Sequence, residues 1–169
     1  AERESDLLAV EIASERGAPG SVMCAYNLWN GVYACENDHL LNDILKKDWH
    51  YPGWVMSDWG AVHGLHALTA GLDQQSGQQL DKQVWFDAPL KEAVAAKKIP
   101  AGRVDDAARR VLRSMFAHGL FDNPAAKAKI DFAAHAQVSR AEAEEGIVLL
   151  DNHKGLLPLA ATARRIAVI

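Results

Sequence analysis

Gly53-Trp54-Val55-Met56-Ser57-Asp58-Trp59-Gly60-Ala61 is the stretch on which the reading of this chain turns. Apolar, strand-forming residues run up to a single carboxylate, and a glycine then turns the chain toward a segment of helical character. In parallel sheets, open or closed into barrels, ligands meet catalytic groups at that end of a strand. Asp58 is therefore the first candidate for chemistry. Its competing role is local: Asp is a favoured helix N-cap, and an Asp after a strand can serve only to start the next helix.

Working outward, helical and strand patterns alternate. Residues 2–17 carry Leu7, Leu8 and Ile12 at helical period and stop at Gly17. Pro19-Gly20 is a turn, and Ser21 to Tyr26 reads as a buried strand. A polar loop from Asn27 to Asn37 holds Asn30-Gly31, and Asn37 is placed to cap a helix bearing Leu40, Leu41, Ile44 and Leu45. Tyr51-Pro52-Gly53 ends that helix and leads into the Asp58 strand. Beyond it, Gly60 to Ala70 is expected to be helical and Ala70 to Asp73 to form a short strand end. Gln74 to Val84 is an amide-rich loop of the long type that is more often functional or mobile than merely connective.

A helix over 87–97 and a strongly amphipathic one from Ala101, with Val104, Ala107, Ala108, Val111, Leu112, Met115 and Phe116, stop near Gly119. This order predicts a parallel α/β architecture whose βα loops form the active face. After Phe121 the composition shifts. Asp122-Asn123-Pro124 and an Ala/Lys-rich run read as a linker. A new helix is expected from Ala134 to Glu145, followed by strands at Ile147–Leu150 and Arg165–Ile169. The expected boundaries are a first domain over 1–122, a linker over 123–134 and the start of a second α/β unit over 135–169.

The 169 residues are 49% hydrophobic and 24% charged, the balance of a globular chain. A net charge of −4 gives no reason to expect nucleic acid or an anionic membrane, and Arg109, Arg110 and Arg113 read as the solvated side of one helix. No apolar run approaches the roughly 20 residues of a membrane helix. The chain opens without Met inside a helical pattern and closes on a strand-like run, so it reads as a segment of a longer protein. Cys24 and Cys35 allow one bridge or two free thiols, depending on the compartment.

A lone strand-end carboxylate can accept a phosphoryl group, bind a metal, act as a base or attack a glycosyl carbon. Phosphatases of the haloacid dehalogenase type need a second Asp two residues on, where this chain has Gly60. His63 and His66 lie one helical turn apart, but only two ligands are visible and no acid stands at a matching spacing, so they read as surface or packing residues. No glycine-rich phosphate loop and no Gly-x-Ser-x-Gly elbow is present, and nothing calls for a cofactor or a metal. Trp59 can stack on the apolar face of a sugar ring or belong to the core. Tyr26, at the end of the preceding strand, would adjoin Asp58 and could hydrogen-bond it if the two strands are neighbours.

Ser21-Val22-Met23-Cys24-Ala25-Tyr26-Asn27, Asn30-Gly31 and Trp54-Val55-Met56-Ser57-Asp58-Trp59 together resemble glycoside hydrolase family 3, in its β-glucosidase-type members. Gly71-Leu72-Asp73, Arg103 to Leu112, Gly119-Leu120-Phe121, Gly146 to Leu150 and Leu157-Pro158-Leu159 follow the same family in order. The resemblance implies the C-terminal part of a TIM-type (β/α)8 barrel followed by the start of an α/β sandwich. It implies retaining hydrolysis of terminal β-D-glucosides or cello-oligosaccharides through a glycosyl ester on Asp58. Met23, Tyr26 and Trp59 match substrate-binding positions, and Cys24 with Cys35 matches a pair bridged in secreted relatives. A periplasmic or secreted parent is implied with them.

The resemblance also implies absences. The family's acid/base Glu would lie beyond Ile169 and its first sugar-binding motifs before Ala1, so the rest of the parent chain, or another copy, would complete the site. Gln74-Gln75-Ser76-Gly77 departs from the Glu-Met-Pro pattern of many relatives. The rival readings are a catalytically inert sugar-binding or assembly fragment, and a β-xylosidase or N-acetylglucosaminidase of the same family. Trp59 argues against both of the latter, since xylosidase-like relatives carry Cys there and the N-acetylglucosaminidases lack the Trp.

Overall fold

The computed structural model describes residues 2–167 and divides into two compact units, one up to Ala125 and one from Ala126. In the first, α1 (Asp6–Gly17) precedes β1 (Ser21–Cys24). A hairpin follows, β2 (Leu28–Trp29) against β3 (Val32–Tyr33), and then a helix over His39–Asp48 wound with π-type hydrogen bonds. β4 (Trp54–Ser57), α2 (His66–Thr69), α3 (Ala88–Ala95) and α4 (Ala101–Ala117) complete it. This is a mixed α/β arrangement.

β1 and β4 pair in parallel, with Val22 opposite Val55 and Cys24 opposite Ser57. A single parallel bridge, Met56 to Gln74, brings a third segment alongside β4. Ala70–Asp73 itself forms no strand: the bridge falls on the next residue, and the Asp73 backbone reaches β4 through its N–H, which donates to the Val55 carbonyl at 2.9 Å. Parallel neighbours need a crossover, and the hairpin with the His39–Asp48 helix supplies it. That helix begins as the sequence suggests: Asn37 Oδ1 accepts the Leu40 N–H at 3.0 Å. Its Leu41, Ile44 and Leu45 are buried, and Leu41 and Leu45 join Val22, Cys24, Val55 and Leu72 in one apolar cluster.

Several expectations are corrected. Asn27–Asn37 is no plain loop: Asn30 and Gly31 both take positive φ, 51° and 80°, the mirror-image turn that closes a two-residue hairpin. The β1 strand ends at Cys24 rather than Tyr26. Between Gly60 and Ala70 only His66–Thr69 is helical; in the stretch before it, Asp81 takes the Gly60 N–H and Glu36 the His63 N–H, each at 2.7 Å. Arg109 and Arg113 are exposed as expected, but Arg110 is half-buried, and two of the three guanidinium groups are engaged. Arg110 Nη1 donates to the Tyr51 and Gly53 carbonyls and Arg113 Nη1 to that of Pro52, all at 3.0 Å, lacing α4 to the turn that launches β4.

In the second unit α5 (Phe132–Gly146) forms where a helix is expected, capped by Asp131, whose carboxylate accepts the Ala134 N–H at 3.0 Å. Ile147–Leu150 forms no strand. Among the described residues of this unit nothing offers it a ladder, and an unpaired strand keeps its backbone in water. Arg165–Ala167 likewise carries no strand, while Val168 and Ile169 lie outside the described residues.

The polar centre of the first unit is Asp73, whose side chain is 0% exposed. Its Oδ1 takes Lys46 Nζ at 2.9 Å and Arg103 Nη2 at 2.6 Å, and its Oδ2 takes the Val55 N–H at 2.8 Å. Lys46 also donates to the Gly71 carbonyl, and Arg103 to those of Leu68 and Leu72. Breaking a buried pair from one side leaves charge uncompensated and typically costs about 3–5 kcal/mol. Asp73→Ala is expected to lose that much in urea unfolding; a midpoint equal to that of the unaltered chain would refute this role.

Tyr51 gives a pH signature. Its hydroxyl donates to the Pro19 carbonyl at 2.9 Å, and burial pushes its pKa up to about 12 from 10.0. A folded-state pKa raised above the unfolded one means a contribution complete below pH 10 and lost as pH climbs toward 12. Lys46 acts in the opposite sense, since burial lowers it from 10.5 to about 8 and the unfolded chain then holds the extra proton between those values. Stability measured from pH 9 to 12 should fall less steeply in Tyr51→Phe than in the unaltered chain; parallel curves would remove Tyr51 from the account.

Candidate active site

β1, β4 and the Gln74 segment end level with one another. The Asp58 N–H donates to the Cys24 carbonyl at 3.1 Å and the Ser57 N–H to that of Gln74 at 3.0 Å. Three loops therefore leave from one edge of the sheet: 25–38, 58–65 and 75–87. Alternation along β4 buries Val55 and Ser57 and leaves Trp54, Met56 and Asp58 half-buried on the other face.

Asp58 does not cap a helix, since none begins before His66. Its Oδ1 accepts the Trp59 N–H at 2.7 Å, its carbonyl accepts the Ala61 N–H, and Gly60 turns the chain at φ 78°. Among the described residues no basic side chain pairs with it. The two aspartates thus differ in kind. Asp73 is consumed by two cations and a backbone N–H, whereas Asp58 keeps one oxygen uncommitted among the described residues.

Trp59, Tyr26 and Met23 stand on the surface of the first unit, 44%, 61% and 53% exposed. No hydrogen bond joins the Tyr26 hydroxyl to Asp58 among the described residues, which corrects the contact expected from adjacent strands. The pairing stops at Cys24, and Tyr26 lies two residues past it, where no ladder holds it. A cavity of about 390 Å³ opens beside β1, lined by Val22, Met23, Asn27, Trp29 and Leu41; of the sequence-derived substrate residues only Met23 reaches it.

Cys24 and Cys35 are joined, with an S–S distance of 2.00 Å, so the hairpin loop is closed at its base. The next residue, Glu36, is buried and holds the loop after Asp58. Its Oε1 accepts the His63 N–H at 2.7 Å, and its Oε2 meets His66 Nε2 at 2.9 Å. The His63 ring also stacks on Tyr33, centroids 3.8 Å apart. Both histidines are thereby tied to a carboxylate that no local spacing relates to them. Among the described residues no group of three or more His, Cys, Asp or Glu side chains could hold a metal ion.

Sequence reasoning missed Glu36, Gln75 and Asp81 as organisers of this edge. The unusual length of the 74–84 loop is the one visible sign of Gln75 and Asp81, and Glu36, in the 27–37 segment, has none. Gln75 is buried, and its Oε1 accepts the Trp85 and Phe86 N–H groups at 2.7 and 3.0 Å. Ser57 Oγ, wholly buried, accepts the Ser76 N–H at 2.9 Å.

Residues 3–114 match the family model described as the glycosyl hydrolase family 3 N terminal domain. The chain belongs to glycosyl hydrolase family 3. It is 37% identical over 158 residues to thermostable beta-glucosidase B of Acetivibrio thermocellus, covering 93% of this chain and 20% of that protein. The family's solved structures include DesR, a beta-glucosidase from Streptomyces venezuelae in complex with D-glucose. It superposes with a TM-score of 0.75 at 40% identity, covering 90% of this chain and 21% of that one. Beta-glucosidase 3B from Thermotoga neapolitana in complex with glucose gives 0.76 at 33%, covering 91% and 22%. The chain thus spans about a fifth of the length of these family members.

If Glu36 fastens the loop that follows the family 3 Ser57-Asp58-Trp59 segment, Glu36→Ala frees it. The expected loss is about 1.5–3 kcal/mol, the usual worth of hydrogen bonds to a charged group, with faster hydrogen exchange at the His63 amide. Undiminished protection of that amide would show that the carboxylate does not hold it.

Proposed function

We propose that this chain supplies the nucleophile of a retaining β-glucosidase acting on terminal β-D-glucosides or cello-oligosaccharides. In this reading residues up to about 122 are the C-terminal part of a TIM-type (β/α)8 barrel, and the residues after the linker open an α/β sandwich. The observation that carries it is Asp58: a half-buried carboxylate at the end of a parallel strand, taking one backbone hydrogen bond and, among the described residues, no ion pair. The names of the relatives and the glucose bound in two of the solved structures support the substrate class.

The chemistry divides into two displacements. An Asp58 oxygen attacks the anomeric carbon as the bond to the leaving oxygen breaks, and a general acid donates its proton to that oxygen. Water then attacks the same carbon, the acid now acting as base, and the Asp58 ester is released with net retention. The acid must stand about 5–5.5 Å from Asp58, and we assign it to residues outside this chain. Trp59 offers an indole face for the sugar, and we assign Met23 and Tyr26 to the same subsite. The Cys24–Cys35 bridge suits an oxidising, periplasmic or secreted setting.

A 2-fluoro glucoside with a good leaving group should label the full-length protein that carries this chain, and peptide mapping should place the sugar on Asp58. Asp58→Asn should lower the hydrolysis of an aryl β-glucoside on the order of 10⁴-fold or more, as loss of a nucleophile does. Absence of the adduct together with undiminished activity in Asp58→Asn would leave the inert sugar-binding reading in its place. Faster turnover of a xyloside or an N-acetylglucosaminide would transfer the assignment within the family.

A further inference from the structure

The 74–86 loop touches the Asp58 turn at two points that no assigned role explains. Gly60 sits at φ 78°, and its N–H donates to Asp81 Oδ1 at 2.7 Å. The other oxygen of Asp81 accepts from Gln75 Nε2. Gln75 is itself saturated, since the same nitrogen donates to the Gln83 carbonyl at 3.1 Å and its oxygen takes two backbone N–H groups. One carboxylate therefore bridges the turn after β4 to a buried amide that organises the far side of the loop.

The second point is Gly77, at φ 75°, whose backbone lies against Trp59. A Cβ built there would overlap the Cγ and Cδ1 of the indole. The Leu80 N–H donates back to the Gly77 carbonyl at 2.8 Å, which holds the bend in place. One side of Trp59 is thus backed by loop backbone while 44% of the residue stays open to solvent.

We propose that Asp81 is a positioning residue. By tying the Gly60 turn to Gln75, it holds Gly77 behind Trp59 and so sets the angle at which the indole meets a glucoside. Asp81 touches neither sugar nor nucleophile; it acts through Trp59, and the proposal rests on the reading of Trp59 as a sugar-contacting residue. Binding to a fixed platform is lost when the platform must be ordered by the ligand, so the effect falls on substrate binding rather than on bond breaking.

The test uses the full-length protein carrying this chain, with Asp81→Ala, Asp81→Asn, Gly77→Ala and Trp59→Phe. Asp81→Ala should raise KM for an aryl β-glucoside about tenfold, the equivalent of one charge-assisted hydrogen bond, while kcat stays within about threefold. Asp81→Asn should fall between, because its oxygen can still accept from Gly60 but its amide cannot accept from Gln75. Gly77→Ala should follow Asp81→Ala. In a Trp59→Phe background the Asp81→Ala effect on KM should vanish.

Acrylamide quenching, taken as the difference from the matching Trp59→Phe protein, should report a more accessible Trp59 in Asp81→Ala and Gly77→Ala. An unchanged KM, or an equal fall in kcat/KM with and without Trp59, overturns the proposal. If the unaltered protein neither hydrolyses the glucoside nor takes a label on Asp58, the hydrolase reading fails and quenching alone decides: a raised constant upholds the brace and an equal one refutes it. Should Asp81→Ala not fold, Asp81→Asn and Gly77→Ala carry the same readouts.

Discussion

The Asp73 carboxylate, shut off from solvent, draws together Lys46 from the His39–Asp48 helix, Arg103 from α4 and the Val55 N–H from the middle of β4. Charges in a poorly polarisable interior tolerate burial only when paired and hydrogen-bonded. Each of these elements therefore has its place dictated by one anion. The backbone repeats the arrangement, for the Asp73 and Gln74 N–H groups both donate to the Val55 carbonyl, at 2.9 and 3.1 Å. With β4 held in this register, its last residue is level with Cys24 and Gln74, and Asp58 emerges at the edge where the loops meet. Lys46 shows the strain of the position, since its pKa is pulled down to about 8 by burial despite the attraction of Asp73.

The same clasp separates two acids that look alike in sequence. Asp58 and Asp73 both follow short apolar runs. Asp73 is spent on structure; Asp58, among the described residues, retains a free oxygen on the half-buried face of the strand. Burial and partners, not position along the chain, decide which carboxylate is left for chemistry.

What could be read in advance was whatever depends on neighbours in sequence. The Asn37 cap, the end of α4 before Gly119 and the run into Asp58 are such features, and each occurs where its residue pattern placed it. What could not be read depends on contacts from afar. The β2–β3 hairpin is too short for alternation to register, although Asn30-Gly31 carries its turn. The helix expected from Gly60 starts only at His66, and the stretch before it is held by side chains of other loops, Asp81 on the Gly60 amide and Glu36 on that of His63. Arg110 looks solvated on a helical projection, yet it is half-buried and serves the carbonyls of a turn more than fifty residues earlier, which the exposed Arg113 also reaches. Ile147–Leu150 has the composition of a strand and, among the described residues, no partner to make it one.

The loops at the site edge are fastened to one another rather than only to the sheet. Glu36 from the hairpin loop grips the segment after Asp58, and Asp81 from the 74–86 loop grips the same segment from the other side. In each case a side chain of one loop satisfies a backbone amide of the next. An engineer seeking new selectivity by transplanting a single loop from a relative would leave a donor or an acceptor stranded at the seam. The unit of exchange here is the interlocked trio, and sequence drift in one member should be answered by compensating change in the others.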